Sequence, residues 1–220
     1  MKIGIMLLTY NRKDYLVQTL ECLRKTIYPV DTDIVIVDDH SDDDTFKEIY
    51  NFWLDEEMFG SLNVYVIEKT ETLGVSDSMQ KGLAFLKEND CDIFVKLDSD
   101  MLLKQEWLVK MLDLLTLFPE KIITGFNANN TKRHKTIREH DEYYEKRTIA
   151  GALWMFNHYN YDLVMSELTG KNWDWRIVKH KIDKGESFVC CKPGVAQHIG
   201  MQSSDTLQHI QLDQDTEFKL

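Results

Sequence analysis

Apolar positions in the first half of the chain alternate between two rhythms. Lys2 to Thr9 is a nearly continuous apolar run, which predicts a strand covered on both faces. Asn11 then reads as a helix N-cap with Asp14 three residues on, and Leu16, Leu20 and Leu23 fall on one helical face. Asp33 to Asp38 predicts a second buried strand, and the polar run Asp39 to Asp44 leads into a helix carrying Phe46, Ile49, Tyr50 and Trp53. Leu62 to Ile67 reads as a third strand. Val75 to Asn89 reads as a helix with Met79, Leu83 and Leu86 on one side. Ile93 to Leu97 is a fourth strand that runs directly into Asp98-Ser99-Asp100. Leu108, Met111, Leu112 and Leu115 mark another amphipathic helix, stopping near Pro119, and Ile122 to Phe126 is a fifth strand.

Strand and helix alternate throughout this half, which predicts an α/β fold with a mostly parallel central sheet flanked by helices. In such sheets ligands bind beyond the carboxyl ends of the strands. The polar clusters Thr9 to Arg12, Asp38 to Ser41 and Asp98 to Asp100 fall at those ends. The second half is less regular. Asn127 to Arg147 is polar and reads as a long loop. Ile149 to Phe156 returns to strand character around Gly151. Tyr159 to Leu168 and Trp173 to His180 read as helices, Ser187 to Lys192 as a late strand, and the last stretch is polar.

Composition narrows the chemistry. Asp and Glu number 37 against 26 Lys and Arg, a net charge of -11, so bulk charge disfavours nucleic acid. Lys132 to Lys135 is a local basic cluster with the character of a solvated loop. Cys22, Cys91, Cys190 and Cys191 lack zinc-ligand spacing and fit reduced thiols in the cytoplasm. The apolar start breaks at Tyr10-Asn11-Arg12 with no cleavage-like site, so a buried strand explains it better than a leader. No run approaches the roughly 20 apolar residues that span a bilayer, which leaves peripheral association as the expected limit of any membrane contact.

Several clusters carry candidate chemistry. Asp98 and Asp100 after a buried strand suit a hard divalent cation, Mg²⁺ or Mn²⁺, shared with phosphate oxygens; the alternative is a solvated turn. Asp38 and Asp39 suit a ribose hydroxyl or a base N–H, or else a helix-start turn. Asp174 lies between Trp173 and Trp175, whose rings would desolvate a carboxylate and favour a general base; a core corner with a capping Asp is the competing reading. His198, in Gln197-His198-Ile199-Gly200, has the nitrogen to complete a metal site begun by Asp100, or is simply packed. No Walker-type loop, Gly-x-Gly-x-x-Gly fingerprint or Gly-x-Ser-x-Gly elbow occurs, which removes support from kinase, dehydrogenase and esterase readings.

In their order these clusters resemble the GT-A glycosyltransferases, in particular the family 2-like group. Leu7-Leu8-Thr9-Tyr10-Asn11-Arg12 resembles the opening strand and nucleotide loop, and Ile36-Val37-Asp38-Asp39-His40-Ser41 the loop that holds the nucleoside. Glu71-Thr72-Leu73-Gly74 with Lys81-Gly82 resembles the third segment, with Thr72 where the family usually has Asn. Asp98-Ser99-Asp100 matches the metal-binding triplet, Gly151-Ala152 the small-residue strand near the transferred sugar, Trp173-Asp174-Trp175 the base region, and Gln197 to Gly200 a late metal-ligand His. Many members carry Glu-Asp where this chain has Trp173-Asp174. The resemblance spans roughly residues 2 to 204.

That resemblance implies a single GT-A domain over residues 1–220: a nucleotide-binding half (1–126), an acceptor and catalytic half (127–204) and a C-terminal tail (205–220). It implies a nucleoside-diphosphate sugar donor, most often a UDP-sugar, and a Mn²⁺ or Mg²⁺ cofactor. Asp39 with Thr9 and Arg12 would hold the nucleoside, and Tyr10, Asn11, Asp38, Leu73, Gly74, Lys81, Ser99, Gly151, Ala152 and Trp173 would line the donor site. Asp98 would meet ribose or metal, Asp100 and His198 would bind the metal, and Asp174 would deprotonate an acceptor hydroxyl for inverting attack. The acceptor is expected to be a glycan or another hydroxyl-bearing molecule; the polar composition of loop 127–147, by itself, suggests a segment that closes over the donor. A sugar nucleotidyltransferase would need a Gly-rich basic loop near the start, where only Asn11-Arg12-Lys13 stands. A non-catalytic sugar-nucleotide or glycan-binding domain would bind donor without turning it over.

Overall fold

The computed structural model describes residues 1–54, 62–128, 134–200, 215 and 218–220. In chain order they form β1 (Ile3–Thr9), α1 (Lys13–Lys25), β2 (Thr32–Asp38), α2 (Thr45–Trp53), β3 (Asn63–Glu68), α3 (Val75–Glu88), β4 (Ile93–Asp98), β5 (Met101–Leu103), α4 (Trp107–Leu117), β6 (Ile123–Thr124), β7 (Thr136–Glu139), β8 (Tyr143–Lys146), β9 (Leu153–Asn157), α5 (His158–Glu167), α6 (Trp173–Asp183), β10 (Phe188–Cys191) and β11 (Ala196–His198).

The unbroken apolar run of β1 is explained by two cores, one on each face of the sheet. Ile3, Ile5 and Leu7 enter a core with Leu16, Leu20 and Leu23 of α1, Ile49 and Phe52 of α2, and Leu108 and Met111 of α4. Met6 and Leu8 point the other way, to Met79, Leu83 and Leu86 of α3 and to Ile177 and Val178 of α6. The strand period of two makes alternate residues serve opposite faces, so a central strand has no polar side to show.

The main sheet has nine strands in the order β3-β2-β1-β4-β9-β6-β10-β8-β7. Its first four strands are parallel, as expected, with β1 paired to both β2 and β4. Beyond β4 the sheet is mixed: β9 lies antiparallel between β4 and β6, and β10 is parallel to β6. A separate two-stranded sheet pairs β5 with β11 antiparallel, setting His198 opposite Met101. The four cysteines are free thiols.

Three local expectations are corrected. The stretch Asn127 to Arg147 is not simply a loop: β7 and β8 form a hairpin within it on the sheet edge. The four residues of β7 are all exposed, and β8 buries Lys146, so neither shows an apolar rhythm. The fifth strand is only two residues long; beyond it the Gly125 carbonyl accepts from Val195 and Ala196 N–H, and Phe126 bridges to Ala196. Asn11 is not the N-cap of α1; that position is Arg12, and Asn11 sits in the left-handed region at φ 48°. Residues 129–133, including Lys132 and Arg133 of the basic cluster, and most of the expected tail 205–220 lie outside the described residues.

Candidate functional site

The carboxyl ends of β1, β2 and β4 converge, and the loops leaving them are tied together by hydrogen bonds. Asn11 N–H donates to Ser41 Oγ at 2.9 Å, and Asp42 N–H donates to Asn11 Oδ1 at 2.8 Å. Arg12 N–H donates to Thr45 Oγ1 at 3.1 Å. Ser41 is held in turn by Asp38, whose carboxylate accepts from its backbone N–H at 3.0 Å and its hydroxyl at 2.5 Å. Burial pushes the Asp38 carboxyl above its ordinary value, against the pull of those Ser41 bonds.

Asp39 anchors the next loop. Its carboxylate accepts from Leu73 N–H at 3.1 Å and Gly74 N–H at 2.8 Å, and it pairs with the buried ammonium of Lys69. Gly74 holds φ at 88°, a conformation a side chain would strain, and stands at the N-cap of α3. Lys81 joins the same charge network at one remove, its ammonium 2.9 Å from Asp77, which also meets Lys69 at 2.7 Å. Asp38 and Asp39 therefore both spend their oxygens on folding the loops around the cleft. Tyr10 is half-buried beside them.

The corner around Asp100 is the most charged part of the site. Its Oδ2 pairs with the Arg12 guanidinium and lies 3.2 Å from His198 Nε2. Burial opposes ionisation of Asp100, but His198 and Arg12 override it and hold the carboxyl below the usual range. The same contact raises His198 against the opposing effect of its burial. The loop is fixed from beneath by Thr19 of α1. Its hydroxyl lies 2.9 Å from Ser99 O and 3.0 Å from Met101 O, and Met101 N–H donates to it at 3.1 Å. Ser99 N–H donates to Leu8 O, and Ile199 N–H to Asp100 O, so β5–β11 pairing carries His198 to the carboxylate.

Among the described residues, Asp100 Oδ1 and the Thr9 hydroxyl are buried without a hydrogen-bond partner. Buried polar atoms left unpaired are costly, and both belong to residues at or just beyond the ends of parallel strands. No group of three His, Cys, Asp or Glu side chains among the described residues forms a metal cage. Asp100 and His198 form a close carboxylate–imidazole pair, 3.2 Å apart, whose oxygen and nitrogen chemistry is compatible with a divalent cation.

The other wall brings together Asp98, Gly151, Ala152, Trp173 and Asp174. Asp98 N–H donates to Ala152 O at 3.0 Å, which seats the small-residue turn against the end of β4. Burial and nearby Asp100 push the Asp98 carboxyl up, with Lys96 opposing, while 32% of its side chain still reaches solvent. A Cβ at Gly151 would lie 3.3 Å from both Cβ and Oδ2 of Asp174. Trp173 packs into the core at 5% exposure, edge-on to Trp154, so it presents no open face to a sugar. Trp175 is 40% exposed and stacks on His134.

The expected residues around Arg12, Asp38, Asp39, Asp100 and His198 are joined by hydrogen bonds and ion pairs at the ends of β1, β2 and β4, and Gly151, Ala152 and Asp174 meet beside Asp98. Sequence reasoning missed Lys96, Lys69 and Thr19. Lys96 had a visible signal, a charge inside the apolar run Ile93 to Leu97. Lys69 and Thr19 had none, since a Lys after a strand and a Thr in a helix are commonplace.

A family model described as glycosyl transferase family 2 matches residues 5–184. The chain belongs to that family. A dolichol-phosphate mannosyltransferase of Pyrococcus furiosus is 27% identical to this family 2 chain over 115 residues, which is 52% of the chain but only 30% of that relative. A structure of GalNAc-T7 with UDP, GalNAc and Mn²⁺ matches with a TM-score of 0.70 at 13% identity, over 91% of the chain and 44% of that protein. The mannosyltransferase PcManGT of Pyrobaculum calidifontis, solved with GDP-Man and Mn²⁺, matches with a TM-score of 0.63 at 18% identity, over 86% and 55%. At such identities these structures establish the shared fold, and the family 2 chain spans about half or less of each. No helix among the described residues is long and apolar enough to cross a membrane.

Proposed function

We propose that this family 2 domain transfers a sugar from a nucleoside-diphosphate donor, with UDP-sugars the first candidates, to an acceptor hydroxyl with inversion. The observation that carries this reading is the cluster of Asp98, Asp100, His198 and Arg12 at the strand ends, where two buried oxygens await a partner. The solved neighbours, complexes with UDP or GDP-Man and Mn²⁺, support the same assignment of ligands.

Asp100 and His198 would hold the cation, with Asp98 beside them. When bound, the ion would neutralise charge gathering on the leaving diphosphate. Arg12 adds a fixed positive charge at the same corner. Thr9 Oγ1 offers a buried donor and acceptor to the nucleotide, and the loop anchored by Asp39 forms the nucleoside wall. Asp174 takes the proton of the acceptor hydroxyl as that oxygen attacks the anomeric carbon from the face opposite the diphosphate. Its place against Gly151, across the turn from Asp98, is consistent with that role.

A thermal-shift screen of nucleoside-diphosphate sugars with and without Mn²⁺ tests the donor, since a ligand of the native state raises apparent stability. One donor should stand out, only with the cation present. Asp174→Asn should keep that shift and lose roughly two to four orders of magnitude in turnover. Absence of any cation-dependent donor shift sinks the donor assignment, and undiminished turnover by Asp174→Asn sinks the base assignment. Release of pyrophosphate in place of nucleoside diphosphate would point to nucleotidyl transfer.

A further inference from the structure

We propose that Lys96 is a positioning residue that ties Asp98, on the donor side, to the Gly151 turn that presents Asp174, so that one buried ammonium sets both walls of the cleft. The functional half of this inference rests on the reading of Asp174 as base; the structural half does not.

Lys96 lies two residues before Asp98 on β4, so both side chains leave the same face of the sheet. That face is otherwise apolar, lined by Phe94, Trp154 and Trp173. Lys96 is only 1% exposed there, a costly place for a charge unless it is paired. Its Nζ donates to Asp98 Oδ1 at 2.5 Å and to Gly151 O at 2.6 Å, and it lies 5.6 Å from the centre of the Trp173 ring. An ammonium has three N–H groups. A carboxylate and a carbonyl take two of them and, with the Trp173 ring alongside, the ammonium is buried, so the residue acts through its neighbours. The carbonyl it grips belongs to Gly151, whose missing side chain lets the turn sit in van der Waals range of Asp174. Trp173, whose ring the ammonium faces, immediately precedes Asp174 on α6. Removing the ammonium frees the Asp98 carboxylate, the turn and the start of α6 together.

A purely structural lysine predicts something different. A buried ion pair can often be replaced by an apolar residue of similar size with little loss of stability, and in that case nothing local should move. The test is Lys96→Met, with Lys96→Gln as a second variant that keeps an N–H donor without the charge. Hydrogen–deuterium exchange of the full chain is read at the Asp98 amide, which bonds to Ala152 O, and over residues 150–154. Exchange there should quicken about tenfold or more in Lys96→Met, with the other central strands unchanged and Lys96→Gln intermediate. In turnover, Lys96→Met should lose about ten- to a hundredfold in kcat while donor affinity stays within about threefold, as expected of a misplaced group. Added to Asp174→Asn it should cost nothing further, because both changes disable the same function. Unchanged exchange in folded Lys96→Met overturns the tie. A kcat loss that multiplies in full with Asp174→Asn overturns the link to Asp174. Should Asp174→Asn alone turn over normally, the base reading fails, and the exchange result still decides the tie.

Discussion

Asp100 shows how much one side chain carries. One of its oxygens is shared by Arg12 and His198 and the other is left without a partner in a buried corner. Gly200 closes that corner: a Cβ there would overlap Asp100 Oδ2 and come 2.5 Å from an Arg12 nitrogen. Gly200→Ala must displace Asp100 and Arg12, so it should lower the melting temperature without ligand and abolish Mn²⁺-dependent donor stabilisation as well, both read by thermal shift. The position of Asp98 and Asp100 at the end of a buried strand was legible because carboxylates ending an apolar strand stand out against it. The commitment of Asp38 and Asp39 to loop hydrogen bonds was not, because nothing local says which N–H a carboxylate will meet.

At the scale of elements, the site is positioned by contacts between helices and loops far apart in the chain. Thr19 on α1 holds the loop after β4 through Ser99 and Met101. Thr19→Val keeps the shape but leaves the Met101 N–H and two carbonyls without that partner. It should cost about 1–3 kcal/mol, read from denaturant midpoints, and weaken the Mn²⁺-dependent shift. The loop after β2 has the same logic in Lys69 and Asp39. Lys69→Met removes the ammonium from a buried carboxylate and should cost about 3–5 kcal/mol, read from denaturant midpoints. Helices α1 to α4 were legible from spacing alone. The β7–β8 hairpin was not, since an exposed edge strand carries no apolar rhythm.

For the whole molecule, two cores flank one sheet and charge networks cross between elements. Asp77 on α3 meets Lys69 at 2.7 Å and Lys81 at 2.9 Å. Burial favours its neutral form, but the two lysines hold its carboxyl below the usual value. The unfolded chain then binds the proton first as pH falls, so this contribution is complete above the ordinary carboxylate value of about 3.9 and fades as pH falls through the lower folded one. Asp77→Asn should flatten the drop in stability between about pH 5 and about pH 3, as followed by denaturant midpoints.

Element type, the parallel half of the sheet and its polar strand ends were written in the sequence, because helical and strand periodicities depend on neighbours a few residues away. The insertion of antiparallel β9 beside β4, the β5–β11 pairing that brings His198 to Asp100, and the ammonium joining Asp98 to Gly151 were decided only by tertiary structure. Each depends on which distant segment wins a place on the sheet, and that is settled by packing two whole cores at once, beyond the reach of any local pattern.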